Sequence, residues 1–259
     1  MMNKNLYGHI LKVLKSGKRF DGRGLTDYRK ISVETGVTKT AEGSALVRIG
    51  ETEVMAGVKL EVSKPYPDTP DKGTIIVGAE LLPLSSPEFE TGPPGIKAIE
   101  LARVVDRGVR ESGFLDFKKM CIEEGEKVWT ALIDVCSMND AGNLMDACYL
   151  AAFAALKDVR LPKFDGEKLD YKEKTSKKLP LSADDPISVT VVKIGEHILI
   201  DPTIEEGKVI DARITVNSKK DGTLCALQKG EETPLMPEEI VEMVDLAVEK
   251  SKELRGAIK

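Results

Sequence analysis

Histidine and cysteine are scarce in this 259-residue chain, which limits the catalytic and metal sites it can build. The two histidines, His9 and His197, would have to supply the base for any serine or cysteine nucleophile. The four cysteines are far apart and none belongs to a C-x-x-C pair. They are Cys121, Cys136, Cys148 and Cys225. We therefore expect neither a metal centre nor a disulfide framework.

Long apolar runs and glycine-rich nucleotide motifs are also missing. No stretch approaches the roughly 20 apolar residues of a membrane-spanning helix. Residues 1–19 are too polar and too quickly amphipathic for a secretory signal, so we expect a cytoplasmic protein. The sequence contains no glycine pattern of the Rossmann or Walker type, which argues against a small-molecule kinase.

Composition and charge narrow the possibilities further. With 41% hydrophobic and 31% charged residues, the chain is long and apolar enough to fold as a globular protein. The net charge of −5 argues against a surface that attracts nucleic acid as a whole. Any nucleic-acid site therefore has to be a local basic stripe.

Hydrophobic periodicity predicts strands joined by hairpins and interrupted by single helices, which favours an α+β fold with mixed sheets. The predicted strands lie in 29–62, 74–84, 127–138, 187–203 and 209–230, and the predicted helices in 3–16, 96–113, 237–256 and the end of 138–156. We divide the chain into an N-terminal helix (1–17), a first lobe (18–160) and a second lobe with a C-terminal helix (161–259). Residues 161–181 read as a polar, lysine-rich connection.

The stretch MNDAGNLMDACYLAAFAAL, residues 138–156, predicts a loop that leads into an almost wholly apolar helix. A helix N-terminus offers unpaired N–H groups, so Gly142 and Asn143 lie where an anion could be cradled. No Arg or Lys follows before Lys157, however, and Asp140 and Asp146 add negative charge. The loop has the shape of an anion site without the cation that such a site needs.

Two stretches near the start of the chain resemble the opening of the RNase PH family of phosphorolytic exoribonucleases. They are KRFDGRGLTDYRKISVE (18–34) and GSALVRIGETEVMAGVKLE (43–61). The segment ETGPPGIKAIELARVVDRGVRES (90–112) is similar in particular to the non-catalytic RNase PH-like subunit of the archaeal exosome core. The resemblance extends from about Lys18 to the final helix and covers almost the whole chain.

This resemblance implies a two-lobed fold of duplicated β/α units that assembles into a six-membered ring. In that ring, the subunit would alternate with a catalytic sister subunit, and RNA-binding cap proteins would complete the complex. Single-stranded RNA would be shortened from its 3′ end by phosphate attack. The resemblance implies that inorganic phosphate is used by the sister subunit, and that this chain itself binds no cofactor.

Two departures from the family's motifs imply that this chain has no catalytic residues of its own. Where active members resemble D-G-G-T-R, this chain has Asp140-Ala-Gly-Asn-Leu144, so a leucine replaces the phosphate-gripping arginine and Asn143 is left as a helix cap. Where active members resemble D-L-x-x-x-E-D, residues 201–207 keep Asp201 but end in Gly207. We interpret Asp201 as a carboxylate that simply ends a strand. The alternative is that the chain is itself an active phosphate-dependent 3′ exoribonuclease.

Three arginines of the helix at 96–113 are the candidate RNA-binding residues. Arg103, Arg107 and Arg110 lie at i, i+4 and i+7, opposite an apolar face predicted from Ile99, Ala102, Val105 and Val109. The alternative is a solvated face with internal pairs to Glu100, Asp106 and Glu111. Guanidinium groups suit phosphate oxygens, and the resemblance favours Arg103 and Arg107 most.

A second pair of arginines is a weaker candidate for binding RNA. Arg19 and Arg23 flank Asp21, which favours a structural ion-pair network instead.

Overall fold

The computed structural model describes residues 4–258, which form two main sheets with a buried helix between them. The helices are α1 (Lys4–Leu14), α2 (Ile96–Arg110), α3 (Leu144–Asp158), α4 (Ile204–Gly207) and α5 (Pro237–Gly256). The strands are β1 (Ile31–Thr35), β2 (Gly43–Ile49), β3 (Thr52–Ser63), β4 (Thr74–Leu81), β5 (Cys121–Glu123), β6 (Lys127–Asn139), β7 (Pro162–Phe164), β8 (Leu169–Lys174), β9 (Ile187–Ile194), β10 (His197–Ile200), β11 (Ala212–Ser218) and β12 (Leu224–Gly230). The predicted α+β fold is confirmed.

The first sheet has the strand order β1-β2-β3-β6-β4, and β5 pairs with β6. Residues of β3 alternate between buried and half-buried positions, as expected when one face of a sheet covers the core. β4 runs parallel to β6 whereas the other pairs are antiparallel, so the sheet is mixed. β4 also forms one edge of this sheet, next to α2.

The second sheet has the order β10-β9-β11-β12 and is antiparallel throughout. Its strands come from residues 187–203 and 209–230, the two segments of the second lobe that are predicted to form strands. Helix α5 packs on β9 and β11 through Met243, Ala247 and Leu254, and it begins with Pro237 at its first position. The predicted C-terminal helix is therefore confirmed.

Helix α3 lies between the two sheets. It contacts β2 and β3 on one side and β9 on the other, and residues 144–156 are all buried. A helix that is covered on every side needs no polar face, which explains its lack of amphipathic periodicity. Gly43 allows β2 to approach it, because a Cβ atom there would lie 2.3 Å from the Ala155 carbonyl oxygen.

Helix α1 packs on the second sheet although it precedes the first sheet in the chain. Its buried residues, Ile10 and Leu14, lie against Val192, Leu199 and Val209. The prediction that this helix packs on the body of the protein is thus confirmed. The boundaries at residues 17 and 160 stay predictions.

The prediction for α2 was partly wrong. The helix ends at Arg110 rather than at Gly113, and its buried residues are Ala98, Leu101, Val104, Val105, Gly108 and Val109. Ile99 is 49% exposed and Ala102 is half-buried, so these two do not belong to the buried face. The helix is covered by β4 on one side and α3 on another, and this rotates the buried face away from the predicted stripe.

The segment 161–181 is more ordered than the predicted connection. It contains the antiparallel hairpin of β7 and β8, whose register shifts between Pro162 and Lys163. The residues of β8 are nearly all exposed, so apolar alternation could not reveal a strand here.

Membrane spans, metal clusters and disulfides are all absent from residues 4–258. No helix in this range is long and apolar enough to cross a membrane. The same residues contain no group of three or more His, Cys, Asp or Glu side chains that could hold a metal ion. All four cysteines are free thiols.

Candidate functional site

Arg29 fixes the loop that leads into α3. Its guanidinium donates hydrogen bonds to the carbonyl oxygens of Ala141 (2.8 Å) and Gly142 (3.0 Å). The Thr52 hydroxyl donates another to the Gly142 carbonyl oxygen at 2.6 Å. The loop therefore has a fixed conformation before the helix begins.

Gly142 brings this loop into contact with the segment that follows β10. Its φ of +97° is in the region that favours glycine, and a Cβ atom would lie 2.3 Å from the Pro202 carbonyl oxygen. Any larger residue would push the two segments apart. The structure thus brings together residues 140–144 and 201–207, the two segments that depart from the family's motifs.

Asp201 is the centre of a buried ion-pair network. Its carboxylate is shielded from solvent and accepts hydrogen bonds from Arg29 Nη2 (2.7 Å), Arg23 Nη1 (2.7 Å) and Asn143 Nδ2 (3.0 Å). Burial acts to raise the pKa of Asp201, but the hydrogen bonds and charge of Arg29 together outweigh it, so the pKa lies below its ordinary value. Asp201 does end a strand, since β10 closes at Ile200. Our interpretation of it as no more than that was incomplete, because its carboxylate also binds groups from distant parts of the chain.

Arg19 has a similar structural role. It is buried, forms an ion pair with Glu206, and donates hydrogen bonds to the carbonyl oxygens of Ile200 (2.9 Å) and Asp201 (2.7 Å). Glu206 in turn completes a capping box with Thr203 at the start of α4. Arg23 binds Asp21 and Asp201. The interpretation of Arg19 and Arg23 as a structural ion-pair network is confirmed.

Asn143 does not cap α3, contrary to prediction. It occupies the N-cap position with φ of 57°, but its side chain makes no capping hydrogen bond. Its Nδ2 atom instead donates to Asp146 Oδ2 (3.1 Å) and Asp201 Oδ1 (3.0 Å). The Tyr28 hydroxyl donates to Asp146 Oδ2 at 2.9 Å. The Asn143 amide therefore bridges the buried carboxyl groups of Asp146 and Asp201.

Asp146 should make the stability of the fold depend on pH. Burial raises its pKa to about 7, despite hydrogen bonds from Asn143 and Tyr28 that act to lower it. The folded state then holds a proton that the unfolded state releases near pH 4, so the free energy of unfolding should fall as pH rises from about 4 to about 7. The upper bound of this contribution is about 4 kcal/mol.

Asp146→Asn removes this titration while keeping the size of the side chain. We expect chemical denaturation at pH 5 and pH 8 to show the variant gaining stability relative to the wild type at the higher pH. An unchanged difference between the two proteins at both pH values would contradict the assignment.

A cleft of about 270 Å³ lies beside the start of α3, lined in part by Leu144 and Gly207. Its three cationic side chains each pair with a carboxylate that also lines the cleft. The pairs are Lys97–Asp140 (3.3 Å), Lys208–Glu88 (2.9 Å) and Arg213–Glu100 (2.6 Å). Glu231 contributes a fourth carboxylate, so the lining carries one more negative than positive charge. None of the three cations that line the cleft is therefore left unpaired for a phosphate ion.

Asp140 also blocks the loop itself as an anion cradle. Its Oδ1 atom accepts the backbone N–H of Gly142 at 2.9 Å, and its Oδ2 atom faces Lys97. The Asp140 carboxylate thus binds one backbone amide and one lysine that an external anion would need. This agrees with the negative charge that the sequence places in the loop.

The three candidate RNA-binding arginines have different surroundings. Arg110 pairs with Asp106 at 2.7 Å and donates a hydrogen bond to the Ile75 carbonyl oxygen at 3.1 Å, so it ties α2 to β4. Arg103 and Arg107 are exposed, and neither forms an ion pair within residues 4–258. Of the internal pairs that the alternative interpretation predicts, Arg110–Asp106 therefore forms, whereas Glu100 binds Arg213 instead of an arginine of α2.

Arg103 and Arg107 border an open groove of about 520 Å³ between α2 and the edge strand β4. Its apolar lining includes Ile76 and Ile99, both about half exposed. The groove lies on a different side of α2 from Lys97 and Glu100, which line the cleft. Binding of RNA by these arginines stays a prediction.

Comparison with known proteins places the chain in a family. The model of the 3′ exoribonuclease family, domain 1 (RNase PH), matches residues 27–162, and that of domain 2 matches residues 184–250. The chain belongs to the RNase PH family. The resemblance described from the opening motifs is therefore confirmed.

Archaeal relatives and solved structures of the RNase PH family match almost the whole chain. The exosome complex component Rrp42 of Methanocella arvoryzae is 49% identical over 247 residues, covering 95% of this chain and 93% of the relative. The Archaeoglobus fulgidus protein of the same name is 45% identical over 251 residues, covering 97% and 95%. A chain of the Archaeoglobus fulgidus exosome with RNA bound to the active site matches with a TM-score of 0.91 at 43% identity, covering 99% of this chain and 98% of that one. Rice Rrp46, at 15% identity and a TM-score of 0.70 over 93% and 98% of the two chains, supports the fold alone.

Sequence reasoning missed two residues of this RNase PH site, Tyr28 and Arg29. They are adjacent in the resembling stretch 18–34, but their partners Asp146 and Asp201 lie 118 and 172 positions away. No local periodicity or spacing marks such contacts. The available signal was the excess of basic over acidic residues in that stretch, five against three.

Proposed function

We propose that this chain is a non-catalytic subunit of the archaeal exosome core, which alternates with a catalytic RNase PH-like sister subunit in a hexameric ring. The proposal rests on the cleft at the start of α3, where Leu144 stands in place of a cation and every cation is neutralised by a carboxylate. It is supported by relatives named Rrp42 and by a structural match to an archaeal exosome core chain.

Phosphorolysis needs a bound phosphate and a positioned acid, and this cleft is poorly suited to both. Leu144 cannot neutralise a phosphate, and Asp140 already occupies the Gly142 amide. Gly207 offers no carboxylate, while Asp201 is held by two arginines as an acceptor and has a lowered pKa. Loss of a general acid alone reduces rates by about 10²- to 10⁴-fold.

In this proposal, the complex degrades single-stranded RNA in the 3′ to 5′ direction in the cytoplasm, and the sister subunit uses inorganic phosphate. This chain binds no cofactor and provides part of the ring and of the RNA path. RNA-binding cap proteins are its further partners. The alternative of a self-sufficient phosphorolytic exoribonuclease requires phosphate to bind in the acidic cleft.

The purified chain alone should release no nucleoside diphosphate from radiolabelled poly(A) in phosphate buffer. Adding the sister subunit should yield phosphate-dependent shortening of the RNA, and ultracentrifugation should show an assembly larger than either chain. The control is the sister subunit alone at the same concentration. Strong phosphorolysis by this chain alone would contradict its non-catalytic role, and a stable monomer beside the sister subunit would contradict the ring.

A further inference from the structure

The first 20 residues contain four lysines, one arginine and one histidine but no aspartate or glutamate, although the whole chain has a net charge of −5. Lys4, Lys12, Lys15 and Lys18 are all exposed. None of them forms an ion pair with another residue in the range 4–258, whereas Arg19 is buried against Glu206. Four unneutralised cations are therefore concentrated around one short helix.

Two carboxylates next to α1 and the turn that follows it already have other partners. Asp211 is engaged by the Tyr7 hydroxyl (3.0 Å) and the Gly195 N–H (2.6 Å), and Asp21 is paired with Arg23. Glu196 is exposed in the turn between β9 and β10. This turn lies next to α1, since Gly195 is close to the Leu11 side chain. The positive charge remains available to a partner.

Two exposed rings stack in the middle of this charge. The chain reverses after α1 at Gly17, which has φ of +70°, and this reversal carries Phe20 back to the helix. The Phe20 and His9 rings stack with centroids 5.1 Å apart and an angle of 17° between their planes. Phe20 is 52% exposed, so one aromatic face stays open to solvent. An exposed aromatic among lysines is the combination that single-stranded nucleic acids stack on.

The apolar side of α1 is not available to a partner. Ile10 and Leu14 are buried against Val192 and Leu199 of the second sheet. The helix therefore cannot insert an apolar face into a lipid surface as a free amphipathic helix does. Its exposed side carries the cations and the stacked rings, together with the uncharged residues Asn5 and Gly8.

We propose that the surface formed by Lys4, His9, Lys12, Lys15, Lys18 and Phe20, the N-terminal basic surface, binds single-stranded RNA. The lysines attract successive phosphates, and the open face of Phe20 stacks on a base. The site is separate from the arginines of α2 and uses different residues. It depends on the proposed function only in the choice of RNA as the nucleic acid.

The test is fluorescence anisotropy of a labelled 20-nucleotide oligo(A) with the full-length chain alone, without the sister subunit. Lys12→Glu/Lys15→Glu should weaken binding about tenfold or more at 50 mM salt. It should also reduce the slope of log affinity against log salt by about 1.4, since each single-strand phosphate contact contributes about 0.7. The matched control is Lys220→Glu/Lys252→Glu, which makes the same charge change at two exposed lysines elsewhere that form no ion pair within residues 4–258.

The aromatic contribution is tested separately with Phe20→Leu, which removes the ring, and Phe20→Tyr, which keeps it. We expect Phe20→Leu to weaken binding by at least about fivefold with an unchanged salt slope, and Phe20→Tyr to bind as the wild type does. Circular dichroism verifies that all variants fold.

Equal affinity and salt slope in the lysine variant and its control would overturn the proposal. It would also be overturned if Phe20→Leu had no effect and polyglutamate competed as well as poly(A), since the surface would then bind an acidic protein. Because the chain is tested alone, these outcomes are independent of ring assembly and of whether the chain is catalytic.

Discussion

Replacing Asp201 by alanine is expected to destabilise the fold by about 3 kcal/mol or more, although the residue has no catalytic role in our proposal. The carboxylate is fully buried and accepts hydrogen bonds from Arg23, Arg29 and Asn143. Its removal leaves charged donors of the first lobe without their acceptor, and breaking a buried pair from one side typically costs about 3–5 kcal/mol. Urea denaturation of the full chain at pH 7 measures the loss.

Asp184→Ala is the matched control, because Asp184 is exposed and lies 3.7 Å from Lys219. We expect that variant to stay within about 1 kcal/mol of the wild type. If the two alanine variants were equally stable, Asp201 would be an ordinary turn residue, as the sequence alone led us to interpret it.

Asp201 has partners that are distant in sequence, whereas Asp184 is an exposed residue of a bend. Features that depend on local sequence could be predicted, and features like the Asp201 contacts could not. The strands β2, β3 and β6 and the helices α2 and α5 follow from local periodicity and turn residues, whereas α3 follows from a long run of small and apolar residues after a loop. The α+β class follows from the order of these elements. The lack of a cation after Gly142 is also visible in the sequence, and the cleft shows its consequence.

Features that depend on distant contacts could not be predicted in this way. Asp201 and Asp184 both lie in bends next to strands of the second sheet, yet only Asp201 meets arginines from the start of the chain. Asn143 is a good capping residue by type, but two buried carboxylates recruit its side chain instead. The buried face of α2 was misplaced because both β4 and α3 cover the helix, while a single apolar stripe describes packing against one neighbour.

The second large effect concerns the exposed side of α2. Arg103 and Arg107 are exposed, and no carboxylate within residues 4–258 forms an ion pair with them. Arg110, by contrast, donates hydrogen bonds to the Asp106 carboxylate and to the Ile75 carbonyl oxygen. If the chain lies in a ring beside a catalytic sister subunit, Arg103 and Arg107 are the two cations of this helix that are free to hold RNA phosphates on the way to that active site.

Arg103→Glu/Arg107→Glu in the assembled ring should therefore weaken RNA binding and slow degradation of poly(A) by about tenfold or more at low salt. Each lost phosphate contact should flatten the salt dependence by about 0.7, while phosphate binding by the sister subunit stays unchanged. Arg103→Lys/Arg107→Lys, which keeps the charge and loses the guanidinium fork, should bind more tightly than the glutamate variant and keep the salt dependence of the wild type. Lys220→Glu/Lys252→Glu controls for the change in overall charge. Ultracentrifugation verifies that the ring still forms, because Arg103 and Arg107 could pair with carboxylates of the sister subunit instead of binding RNA. Intact rings of the glutamate variant that degrade poly(A) at the unmodified rate across low and moderate salt would show that this side of α2 is only a solvated face.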